Sequence, residues 1–142
     1  MFDFKFDWKD SLCTGIEVID NQNKELFRIG RNIEQLLLRK CIGATTQELL
    51  NIVCELREYV SYHFYEEERL MMQAGCSDFE EHKKAHEQLK KMVKEIDCVE
   101  LGKNPYKEMK RIKEFLTDWI FEHLMIEDLQ EAKCIMKTDG QE

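Results

Sequence analysis

The sequence predicts an all-α fold, an up-down-up-down four-helix bundle preceded by an extended N-terminal arm. Three observations carry this. Apolar residues recur at helical spacing in four successive segments. The chain holds one proline and six glycines in 142 residues, with the glycines mostly between those segments. Only the first eight residues alternate with period two, so a strand there has nothing to pair with.

Taken in order, residues 1–19 form the arm. Phe2, Phe4, Phe6 and Trp8 alternate with Asp3, Lys5 and Asp7, which places an aromatic side against the helical body. Gly15 marks a bend. The first helix spans 20–39, with Asp20 as N-cap and a face of Leu26, Ile29, Ile33, Leu36 and Leu37. Asn23 lies close to that face. Gly30, costly inside a helix, predicts a neighbour packed closely against it.

The second helix covers 46–74 on the stripe Leu49, Val53, Leu56, Val60, His63, Glu67, Leu70, and Gly75 closes it as a C-cap. Glu66 and Glu68 project elsewhere and read as solvated charge. Ser77 or Asp78 opens the third helix, 78–98, whose stripe is Phe79, His82, His86, Leu89, Val93, Ile96. Gly102 marks the next turn. Asn104-Pro105 supplies an N-cap and a proline at the first helical position of the fourth helix, 105–137. There Met109, Ile112, Leu116, Trp119 and His123 align. Asp128, five residues beyond His123, would miss it on an ideal helix. If both serve one site, the helix must break or bulge between them. The whole chain, 1–142, is expected to be a single domain.

Composition excludes several functions. A net charge of −8 without a basic block argues against nucleic-acid binding. No apolar run approaches membrane-spanning length and no leader pattern opens the chain, which predicts a cytoplasmic protein with no membrane partner. The six cysteines (Cys13, Cys41, Cys54, Cys76, Cys98, Cys134) include no CxxC pair. They are expected to be reduced thiols and not metal ligands.

The polar residues on apolar stripes carry the chemistry. All four histidines of the chain and Glu67 fall on core faces. An isolated core histidine is ordinarily just hydrogen-bonded, and HxxxH alone is a weak signal. A buried glutamate, however, costs several kcal/mol unless protonated, ion-paired or metal-bound, and no Lys or Arg shares its level. Histidines with carboxylates and no thiolate suit iron, manganese or zinc. His63, Glu67, His82, His86, His123 and Asp128 exceed the needs of one tetrahedral zinc. Two metals bridged by Glu67 and Asp128 would use them all.

With the arm ending in Trp8, Gly15-Ile16-Glu17, Ile19-Asp20-Asn21-Gln22-Asn23-Lys24, His63-Phe64, and the ordered HxxxE, HxxxH and HxxxxD steps, the chain resembles the single-domain bacterial hemerythrins over nearly its whole length. The resemblance implies two non-haem iron ions, carboxylate- and oxo- or hydroxo-bridged, that bind dioxygen for storage, transport or sensing. His82, His86 and His123 would bind one iron and His63 the other, with Glu67 and Asp128 as bridges. It implies the five-residue step to Asp128 as well. Where the family has a further histidine, this chain has Asn23. Its amide is a weaker ligand than imidazole, and water filling the gap or a loosely held second metal are equal alternatives. An oxidase- or peroxidase-type di-iron enzyme and a metal-buffering protein are the other functions this departure leaves open. No catalytic residue and no protein partner is indicated.

Overall fold

The computed structural model describes residues 4–124, 129–130 and 132–136, excepting the side chains of His123 and Leu124. Among these residues there is no strand. A 3₁₀ turn at Asp10–Leu12 precedes α1 (Glu17–Leu38), α2 (Thr46–Glu58), α3 (Phe64–Ala74), α4 (Phe79–Lys94), α5 (Cys98–Lys103) and α6 (Pro105–Trp119). One π-helical turn, Tyr59–His63, joins α2 to α3, and a second, Ile120–Leu124, extends α6. The long helices pack around a core that includes Leu26, Phe27, Ile33, Leu56, Phe64, Leu89, Met109 and Leu116. This is the expected all-α helical bundle.

Several boundaries differ from those the sequence predicts, each for a local reason. The first helix starts at Glu17, three residues early, because Asp20 does not cap it. Instead the Asp20 carboxylate accepts from the Thr14 amide at 2.7 Å, the Thr14 hydroxyl at 2.8 Å and the Gly15 amide at 3.2 Å, tying the loop to the first turn. The third long helix ends at Lys94 rather than 98. Asp97 then opens the unforeseen α5 by accepting from the amides of Val99 at 3.0 Å and Glu100 at 3.1 Å, as an N-cap does. Asn104 precedes Pro105 as expected, but its side chain donates to Glu100 at 2.7 Å and caps nothing. Thr45 does cap α2, accepting from the Glu48 amide at 3.1 Å. Gly75 terminates α3 in the left-handed conformation, φ 68°.

The arm lies on the bundle as its aromatic alternation predicts. Phe6 is buried and meets Phe27 edge-on at 5.8 Å, as Trp8 does at 5.2 Å. Its backbone is held by Glu34, whose carboxylate accepts from the amides of Lys5 at 2.9 Å and Phe6 at 2.8 Å. Arg31 pairs with Asp7 and stacks over the Phe4 ring. The close neighbour foreseen at Gly30 is Phe6: a Cβ there would stand 2.5 Å from its ring.

The cysteines correct the expectation of six thiols. Cys76 and Cys134, 58 residues apart in sequence, form a disulfide, while Cys13, Cys41, Cys54 and Cys98 are free. The bond sits in a small second core with Ile19, Met71 and Ile135. Scattered spacing concealed it because tertiary packing, not sequence distance, brings the two Cα atoms to 6.1 Å.

Two substitutions test this architecture by urea unfolding. Gly30→Ala gains about 1 kcal/mol of helix propensity but drives a methyl into the Phe6 ring. Overpacking of this kind costs typically about 1–3 kcal/mol, so the variant is expected to be less stable than the parent; a gain in stability would remove Phe6 from this contact. Replacing Cys76 and Cys134 together by serine should cost about 2–4 kcal/mol, mainly through a less constrained unfolded chain. Treating the parent protein with a reductant should reproduce that loss, and an unchanged midpoint would refute the bond's contribution.

Candidate metal centre

Three of the sequence-predicted ligands converge. One ligand atom from each of Glu67, His82 and His86 lies within 4.8 Å of the others, and all three residues are buried. Glu67 comes from α3, the two histidines from successive turns of α4. HxxxH spacing stacks the imidazoles on one face, here with ring centroids 4.4 Å apart and nearly perpendicular. His82 Nε2 and Glu67 Oε1 are 2.6 Å apart, a short contact between two buried groups. His86 Nε2 stands 3.6 Å from the same oxygen, too far for a hydrogen bond.

Apolar groups fix the His86 ring. The Phe64 ring lies parallel to it at 3.8 Å and Trp119 lies 5.6 Å beyond Phe64. The Trp119 indole donates to the Ala85 carbonyl at 2.8 Å, joining α6 to the middle of α4. Burial works against a charged His86, yet the combined pull of Glu67 and Glu68 exceeds it and raises the His86 pKa above its ordinary value. Burial likewise works against the Glu68 carboxylate, and His86, Lys90 and Lys83 together outweigh it, so its pKa is lowered. The assignment of Glu68 to solvent is therefore corrected. Its side chain is 12% exposed, with Oε2 at 3.7 Å from His86 Nδ1.

The remaining candidates are not gathered in the same way. His63 ends the π turn and is only partly buried, between Tyr59 at 4.9 Å and Tyr62 at 5.5 Å. It lines a surface depression with Asn21, Gln22, Glu25 and Glu66, apart from the Glu67–His82–His86 group. Arg28 foremost, with a smaller contribution from His63, holds Glu25 below the usual carboxylate range. Asn23 is fully buried on α1. The His123 backbone lies in the second π turn, so the widened turn comes at His123 itself. The His123 side chain and Asp128 lie outside the described residues.

The residues present fit a divalent transition metal. Their donors are imidazole nitrogens and a carboxylate, a set that suits iron, manganese or zinc. Both ring nitrogens of buried His86 lack a hydrogen bond, an arrangement that costs free energy unless another partner is supplied. Two histidines and one carboxylate also match the three-residue set on which non-haem iron sites are built.

Comparison with known proteins agrees. Residues 14–133 match the family described as the hemerythrin HHE cation binding domain. A bacteriohemerythrin of Clostridium acetobutylicum is 31% identical over 123 residues, covering 87% of this chain and 95% of the relative. One from Pseudomonas aeruginosa is 33% identical over 122 residues, 85% of this chain and 75% of the relative. A hemerythrin-like protein of Naegleria gruberi is 30% identical over 82 residues, 58% of this chain and 60% of the relative. No solved structure matches the chain. On its bundle, its buried histidine–carboxylate cluster and these matches, the chain belongs to the hemerythrin HHE cation binding domain family.

Proposed function

We propose that this chain is a non-haem di-iron protein that binds dioxygen, in storage, transport or sensing. The observation that carries this is the buried Glu67–His82–His86 cluster inside a hemerythrin-family bundle. Glu67, His82 and His86, with His123, would hold the first iron, and His63 the second. Glu67 and Asp128 would bridge them, and Asn23 would be a weak additional ligand if its amide, and not water, fills the remaining position. Bound iron supplies the redox chemistry of dioxygen binding, which no side chain here has by itself. The chain's own contribution is to hold and orient. Phe64 keeps the His86 plane in place, Trp119 ties α6 to α4, and the apolar surroundings exclude bulk water. No described helix is long and apolar enough to cross a membrane. The free thiols of Cys13, Cys41, Cys54 and Cys98 support a cytoplasmic location, and Cys76–Cys134 argues the other way.

A second reading has its own support. Asn23 is buried where the family resemblance places a histidine, and His63 lies outside the Glu67–His82–His86 group. A weakened second position favours either oxidase- or peroxidase-type chemistry or simple metal buffering. Loading the protein with ferrous iron without oxygen, then measuring iron per chain and oxygen uptake, separates these functions. Two irons with uptake reversed under argon supports the carrier. With an added chemical reductant, oxygen or peroxide consumption that continues past one turnover per centre supports the enzyme, and iron without uptake supports the buffer.

Stripping the metal is expected to lower the melting temperature. A ligand held at 1,000 times its dissociation constant stabilises by about 4 kcal/mol, roughly 14 °C for a chain of this size. Coincident melts of loaded and stripped protein would count heavily against a core metal. Asn23→His should raise retention of the second iron against a chelator by about tenfold, ~1.4 kcal/mol, and slow irreversible oxidation by air. Unaltered iron retention and oxygen behaviour would mean that residue 23 does not serve the site.

A further inference from the structure

His86 lies between two carboxylates supplied by adjacent residues of one helix. Its Nε2 is 3.6 Å from Glu67 Oε1 and its Nδ1 is 3.7 Å from Glu68 Oε2. Neighbouring side chains on a helix diverge by about 100°, which lets Glu67 reach one edge of the ring and Glu68 another. Lys90, one turn beyond His86 on α4, brings its ammonium to 4.0 Å from the same Oε2, while its hydrogen bond goes to Glu87 Oε1 at 3.4 Å. Phe64 stacked at 3.8 Å and His82 edge-on at 4.4 Å hold the ring plane.

A neutral imidazole has one N–H and one lone pair, on opposite nitrogens. A metal takes the lone pair. With the proton on Nε2, the lone pair faces Glu68, away from His82 and Glu67. With the proton on Nδ1, the N–H faces Glu68 and the Nε2 lone pair faces the ligand cluster. We propose that Glu68 is a positioning residue of the metal centre, accepting the Nδ1–H of His86 and so aiming Nε2 at the metal position shared with Glu67 and His82. The 3.7 Å separation exceeds a hydrogen bond by less than about 1 Å, so the proposal requires the Glu68 carboxylate to turn toward Nδ1 when metal is bound. Outer carboxylates of this kind fix the tautomer of a ligating histidine and increase its basicity. Their loss typically lowers metal affinity by about 10–100-fold. The proposal rests on metal binding by the cluster.

The test compares the parent protein with Glu68→Gln and Glu68→Ala. Affinity for Zn²⁺ and, without oxygen, for Fe²⁺ is measured by chelator competition. Metal-free melts and ¹⁵N-resolved imidazole spectra of the zinc-loaded proteins accompany it. Glu68→Ala is expected to lose about 10–100-fold in affinity. Glu68→Gln should lose less, because its carbonyl still accepts the Nδ1–H, and it carries the test should the alanine variant fail to fold. Both should melt like the parent when metal-free. In the zinc-loaded parent, His86 should coordinate through Nε2 with a slowly exchanging Nδ1–H, whose exchange quickens in Glu68→Ala. Coordination through Nδ1 overturns the proposal, and so does unchanged affinity in both variants or a loss confined to the metal-free melt. A parent protein that binds neither metal overturns the metal assignment of the cluster instead.

Discussion

The contact on which the centre depends is the one between His82 Nε2 and Glu67 Oε1, 2.6 Å apart inside the apolar core. A carboxylate with no exposed surface is tolerated only with strong partners, since breaking one member of a buried pair leaves an uncompensated charge. α3 and α4 must therefore meet in a single register. Gly75 makes that register attainable by reversing the chain just beyond Ala74 in a conformation that a side chain resists. Phe64, one turn before Glu67, then falls flat against His86. Packing and polar contact thus impose the same alignment on the two helices.

Regularity gives way where ligands are presented. Two π turns interrupt the helices, at Tyr59–His63 and Ile120–Leu124, and each contains a candidate histidine. Such turns are rare and concentrate at functional sites, because the extra residue re-aims the next turn without ending the helix. On an ideal helix Glu67, 18 residues beyond Leu49, leaves in the same direction, and the widened turn falls between them, ending at His63. The simple stripe drawn through 46–74 is therefore right about Glu67, which is buried, and less so about His63, which is partly exposed.

Away from the centre, polar side chains organise the connections. Glu34 and Asp20 are buried acids whose partners are backbone amides of the arm and the first loop. Each satisfies donors that no regular element would pair. Phe6, filling the space that Gly30 leaves, joins the arm to α1. The Cys76–Cys134 bond does the same for the C-terminal segment at the Gly75 turn.

Sequence pattern determined the class of fold, the aromatic arm, the close approach at Gly30 and the burial of Glu67, His82 and His86. The burial of the three ligands comes from spacing along one helix, where residues three or four apart must share a face; the arm comes from period-two alternation and Gly30 from its cost inside a helix. Local chemistry sufficed for Gly75, whose role involves only neighbouring backbone. It misjudged Asp20 and Asn104, since a short polar side chain near a helix start has several amides or carboxylates within reach. Tertiary structure alone decided what depends on two distant segments meeting: the Cys76–Cys134 pair, the Glu34 amide contacts and the approach of Glu68 to His86. Sequence spacing specifies the direction a side chain leaves its own helix, but not what another helix places opposite it.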